Sequence, residues 1–111
     1  KHIPAMQQLT HYFLHFIFPV IIAFLFYKPD GLKVSGIFLA TMLVDTDHLL
    51  ATPLFDPCRC SIGFHPLHSY PAIFIYVLAL APARTRIIAL GLLMHMGTDQ
   101  LDCLWNSTHC L

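Results

Sequence analysis

Four apolar stretches fill almost the whole of this 111-residue chain, and two of the three connections between them are very short. They run over about residues 11–27 (HYFLHFIFPVIIAFLFY), 33–50 (KVSGIFLATMLVDTDHLL), 66–83 and 86–105 (RIIALGLLMHMGTDQLDCLW). Each has the length needed to cross a hydrocarbon core of about 30 Å only when its polar end is included. Residues 28–32 and 84–85 can join only antiparallel neighbours. Composition then names the solvent. The chain is 57% hydrophobic and 11% charged, where soluble chains run at about 45–50% and 25%, so it cannot cover the surface that a soluble domain of this size leaves to water. The predicted architecture is all-α: a four-helix antiparallel transmembrane bundle, one integral-membrane domain over residues 1–111, with a polar metal site at one end. Pro19 is expected to be accommodated inside the first helix, Pro66 to open the third, and Pro29-Asp30-Gly31 to form a turn. The first stretch lacks a small-residue cleavage site and is not expected to be a cleavable signal peptide.

These features exclude a soluble enzyme, a disordered tail and a nucleic-acid binder, since a formal net charge of +0 provides no basic surface for phosphate backbones. Membrane lipid is the expected partner, and helices this short also suit a homo-oligomer or a larger membrane complex. Four antiparallel spans sort the polar residues onto two faces. One face takes His11, His15, Asp45, Asp47, His48, His65, His68, His95, Asp99 and Asp102, while the other takes Lys28, Asp30, Lys33, Arg84 and Arg86 and has no histidine. By the positive-inside rule the histidine-rich face lies outside the cytoplasm. All four cysteines fall on that side, compatible with an oxidising compartment. A Cys60–Cys103 bridge would tie the long loop to the end of the fourth helix, but four cysteines permit three pairings, and metal ligation by Cys58 and Cys60 competes.

Eight histidines in so apolar a chain need a reason, because a polar group in hydrocarbon is costly unless it has a partner or a task. Residues three or four apart share a helix face, and every predicted helix brings such a set to the same end: His11 with His15, Asp45 with His48, His65 with His68, and His95 with Asp99 and Asp102. Imidazoles and carboxylates facing inward from several helices are the donor set of a divalent cation, zinc first, with manganese or iron as alternatives. The predicted ligands are His11, His15, Asp45, His48, His65, His68, His95 and Asp99. Asp47 faces away from Asp45 if the helix is regular, so it either ligates from a frayed last turn or orients an imidazole. Asp102 does the same or acts as a base, and Asp47 and Asp102 are the two catalytic candidates. Ser69 reads as a hydrogen bonder of the helix turn, and Arg59 and Lys1 as the cations able to steer an anionic head group. Tyr12, Tyr70 and Trp105 read as an interfacial belt, and Asn106-Ser107-Thr108 as a glycosylation sequon with meaning only in a eukaryotic secretory route.

The run ATMLVDTDHLLATPLFDPCRCSIGFHPLHSY, with HYFLHFIFP before it and HMGTDQLDCLW after it, resembles a family of small uncharacterised bacterial inner-membrane proteins. At motif level it is similar to the predicted membrane-bound metal-dependent hydrolases, among them a LexA-regulated inner-membrane protein. The shared features are an early His, Asp-x-Asp-His at Asp45, Asp47 and His48, His-x-x-His-Ser at His65, His68 and Ser69, and His-x-x-x-Asp at His95 and Asp99. This resemblance implies a multi-pass bacterial inner-membrane protein with hydrolytic chemistry. One or two cations would activate a water to cut a phosphoester or acyl bond in a lipid head group, Asp45 or Asp99 bridging if there are two. The competing expectations are a metal- or haem-binding protein and a structural subunit whose metal only holds short helices together.

Overall fold

The protein, seen as a computed structural model, is described over residues 5–51 and 58–109, with the side chains of His48 and residues 107–109 left aside. It is all-helical, with no strand among the described residues. Helix α1 spans Ala5–Phe26, α2 residues 31–50, α3 Tyr70–Leu78 and α4 Ala83–His109. The bundle is elongated, 44 × 29 × 21 Å. Helix α4 packs against each of the other three, and α1 and α2 form a hairpin across residues 27–30.

Two helices depart from regular geometry where they carry candidate ligands. In α1, Phe13–Ile17 is a π segment in which the Phe18 N–H donates to the Phe13 carbonyl. Its cause lies two residues past the segment: Pro19 has no N–H for the His15 carbonyl one turn back, and a widened turn absorbs the misfit without ending the helix. In α2 the α-helix Gly31–Ala40 tightens into a 3₁₀ segment, Thr41–Leu50, longer than the usual three or four residues. The change begins at Thr41, whose Oγ1 donates to the Phe38 carbonyl at 2.5 Å and competes with the backbone ladder. Across from it stands Gly91, where a Cβ would lie 2.8 Å from Thr41 Cγ2 and 3.2 Å from Phe38 Cδ1. A side chain at position 91 would therefore push α2 and α4 apart.

The helix boundaries differ from the predicted ones for local reasons. Helix α1 begins at Ala5, well before residue 11, because its polar first turns are held by α4: buried Gln7 donates from Nε2 to Asn106 Oδ1 at 2.7 Å. Helix α3 is only nine residues, not 66–83. His65 precedes a proline and is extended, Pro66–His68 makes one 3₁₀ turn, and extended Ser69 caps the new start, its Oγ accepting from Ala72 N at 3.4 Å and donating to the Pro66 carbonyl at 2.7 Å. At its far end Arg86 donates from Nε and Nη2 to the Leu80 and Ala81 carbonyls, both at 2.8 Å, closing the turn into α4. Helix α4 therefore starts at Ala83 and runs past residue 105.

The apolar core is small and sits between α1, α2 and α4: Ala23, Val34 and Phe38, flanked by Ile22, Tyr27, Ile87, Leu90 and Met94. Elsewhere the distribution is inverted. Most buried side chains are polar, while large apolar residues on all four helices face outward, among them Phe26, Leu32, Leu43, Phe74 and Leu104. Among the described residues one helix, Ala5–Phe26, is long and apolar enough to cross a membrane, a test that signal sequences also pass. Helix α3, at nine residues or about 14 Å, is too short to span alone.

Candidate metal centre

The inverted distribution has its focus where α4 meets the irregular halves of α1 and α2. On α4, His95 and Asp99 are one turn apart, with His95 Nε2 3.1 Å from Asp99 Oδ2. The 3₁₀ half of α2 brings Asp45 Oδ1 to 2.9 Å from His95 Nε2. The single turn before α3 brings in His68, fully buried, whose Nε2 lies 3.2 Å from Asp45 Oδ1, 3.0 Å from Asp99 Oδ2 and 3.1 Å from His95 Nε2. Four donor atoms from three separate segments thus converge, five of their six separations falling between 2.9 and 3.2 Å. Nitrogen and oxygen ligands about 2.0–2.1 Å from a zinc ion stand about 3.3 Å apart at the corners of a tetrahedron, and neighbouring corners of an octahedron about 2.9–3.0 Å apart. The cluster has the edge lengths of a coordination shell.

Both histidines are held from behind. His68 Nδ1 donates to Asp47 Oδ2 at 3.0 Å, and the same oxygen accepts the Leu67 N–H at 2.8 Å. His95 Nδ1 stands 3.2 Å from the thioether of Met42. With each outer nitrogen carrying its proton, each Nε2 turns a lone pair toward the cluster, the arrangement that carboxylates impose on metal-ligating imidazoles. A cation among the four would meet both lone pairs and both carboxylate oxygens at once; protons on the imidazoles, pairing with Asp45 and Asp99, are the metal-free alternative.

A second group adjoins the first. His15, buried, places Nε2 3.2 Å from Asp99 Oδ1, the other oxygen of the same carboxylate. The His15 ring centroid lies 4.3 Å from that of His11 and 4.4 Å from that of His95. His11 Nδ1 meets Asp102 Oδ2 in turn. His11, His15 and Asp99 each offer a donor atom within 4.8 Å of the others, as do Asp45, His68, His95 and Asp99. Buried His/Asp groups able to hold a metal ion are therefore present, and no side chain in them fixes which metal.

A family of unknown function (DUF6122) matches residues 5–106 of the chain. The chain belongs to this family. No curated protein and no solved structure matches it. Membership in DUF6122 brings no activity with it, so the reading of the site rests on its geometry.

Of the predicted ligands, His11, His15, Asp45, His68, His95 and Asp99 are brought together. His65 is buried beside His68, ring centroids 5.7 Å apart, but belongs to neither group. The His48 side chain lies outside the described residues. Asp47 takes the orienting role behind His68. In a 3₁₀ helix successive residues turn by about 120°, so Asp47 can back the 66–68 turn while Asp45 faces the cluster. Asp102 likewise stands behind His11. Cys60 and Cys103 form a disulfide, and no described cysteine is a free thiol, which sets aside the metal reading of Cys58 and Cys60. That bridge fastens the segment leading to His65 and His68 onto α4 next to Asp102. Arg59 is stacked over the Phe64 ring, 4.6 Å from its centroid, and Lys1 is outside the described residues. Asn106, read as a sequon, is buried and bonded to Gln7. Sequence reasoning missed Met42, Gln7 and Asn106. Their signal was present: Gln7 continues the 11–15 stripe, and Asn106 continues 95–99–102, each by one helical turn.

Proposed function

We propose that the chain is a membrane-embedded, metal-dependent hydrolase acting on a phosphoester or acyl bond in a lipid head group. The observation that carries this reading is the convergence of Asp45 Oδ1, His68 Nε2, His95 Nε2 and Asp99 Oδ2 at ligand-to-ligand spacing. Asp45, His68, His95 and Asp99 would hold a divalent cation, zinc first and manganese or iron next, which would lower the pKa of a water toward about 7 and polarise the bond to be cut. Asp47 and Met42 keep the two imidazoles aimed, and Asp102 holds His11 beside the centre. Access comes from the Asp45 side: its side chain is 37% exposed while those of His68, His95 and Asp99 are almost fully buried.

The outward-facing apolar residues of all four helices support a lipid environment, and His11 and His15 make α1 a working part of the bundle. The lysines and arginines at 28, 33, 84 and 86 favour a multi-pass inner-membrane protein with the site on the extracytoplasmic side. A structural metal is the second reading, favoured because four protein ligands complete a tetrahedron. Haem is disfavoured: ligands on either side of an iron stand about 4 Å apart, twice a bond of about 2.0 Å, whereas His68 Nε2 and His95 Nε2 are 3.1 Å apart. The test is turnover by the detergent-purified full chain on phospholipid substrates, before and after chelation. Loss on chelation and recovery with added metal is expected. Bound metal without turnover on any head-group ester would leave the structural reading in place.

A further inference from the structure

The four-donor cluster leaves His15 unexplained. The side chain is buried, its Nε2 faces Asp99 Oδ1 at 3.2 Å, and its Nδ1 has no hydrogen-bond partner. Neither neutral tautomer satisfies both ends. With the proton on Nε2, a lone pair is stranded at Nδ1; with the proton on Nδ1, a bare N–H is stranded there and the Nε2 lone pair is pressed against a carboxylate oxygen. A cation held by Nε2 and Oδ1 would take up the Nε2 lone pair and the carboxylate charge together, with the Nδ1 N–H still unpaired, and 3.2 Å is an edge length for two ligands of one ion.

The third member of the group comes from one turn earlier in α1. In a regular helix, residues four apart sit on one stripe, and the π segment Phe13–Ile17 adjusts that stripe where it meets α4. His11, its ring 4.3 Å from that of His15, has its Nδ1 against Asp102 Oδ2. Asp99 joins the two groups, with Oδ2 turned to His68 and His95 and Oδ1 turned to His15.

We infer that His11, His15 and Asp99 form a second divalent-cation site, and that Asp99 bridges it to the Asp45–His68–His95 site as a dinuclear centre. This deepens the hydrolase reading and rests on it for its chemistry. Paired ions about 3.5–4 Å apart suit the in-line displacement of phosphoester cleavage, and they also serve some acyl hydrolases, so within the head-group esters a phosphoester becomes the first substrate to test.

Manganese, counted and read by electron paramagnetic resonance on the full chain in detergent, tests this without reference to activity. Two ions per chain with an exchange-coupled spectrum are expected, falling to one ion with a six-line mononuclear spectrum in His15→Gln, and to none in Asp99→Asn. His11→Gln, at a half-exposed position, supplies the same readout if His15→Gln does not fold. One ion in the unaltered chain, lost in His68→Ala and kept in His15→Gln, overturns the second site and leaves the first standing. No bound ion at all overturns both.

Discussion

The two ends of the bundle are held together by opposite means. At the dry end, Ala23, Val34 and Phe38 interlock with Tyr27, Leu90 and Met94 as any helical core does, the Tyr27 and Phe38 rings meeting edge to face at 6.0 Å. At the other end the same three helices, joined by the turn before α3, meet through His15, Asp45, His68, His95 and Asp99, groups that set polar atoms against one another. Apolar packing needs nothing further. The polar end, on the proposed reading, also needs a cation. The two ends should therefore fail differently, and substitutions at each end separate folding from binding.

The largest effect is expected at Asp99, the residue common to both ligand groups. Asp99→Asn should abolish stoichiometric metal, measured by elemental analysis, while circular dichroism still reports a helical chain. Retained metal would break the contrast between the ends. Phe38→Ala is the converse experiment. It should lower stability by about 3–5 kcal/mol, the cost of removing a buried aromatic, yet leave metal content per folded chain unchanged. Metal removal should destabilise the unaltered protein by up to about 4 kcal/mol where the free ion stands at 1,000 times its dissociation constant. A melting temperature insensitive to chelator would show that the polar end holds itself together.

Smaller effects sharpen the picture. Asp47→Asn should weaken metal binding about 10- to 100-fold, read by competition with a chelating dye, because it loosens the His68 imidazole without removing a ligand. Binding should also weaken as the pH falls, because protons compete with the metal for the imidazole nitrogens. Gly91→Ala should cost about 1–3 kcal/mol through the close approach to Thr41 and Phe38, with little change in affinity.

Much of the site was legible in the letters, because the three- and four-residue spacings within His11/His15 and His95/Asp99/Asp102 survive folding wherever a helix is nearly regular. The all-helical class followed from the apolar stretches in the same way. What escaped was set by backbone chemistry rather than by periodicity. The π segment forced by Pro19, the 3₁₀ turn starting at Thr41 and the extended residues His65 and Ser69 all change which way side chains face. Hydropathy placed a long third helix over 66–83, whereas Pro66 and Ser69 delay its start to Tyr70 and the turn fastened by Arg86 ends it at Leu78. The role of Asp47 was open because it depends on the tighter 3₁₀ rotation, and Met42, Gln7 and Asn106 were passed over because none is ionisable.

X-ray absorption at the zinc edge, on the full chain reconstituted with one equivalent of zinc, tests most directly whether this end of the bundle is a coordination shell. The account predicts a first shell of nitrogen and oxygen near 2.0–2.1 Å, with the outer-shell scattering of two imidazoles, lost in His68→Ala and His95→Ala. A spectrum of hydrated zinc alone, unchanged by those substitutions, would contradict it.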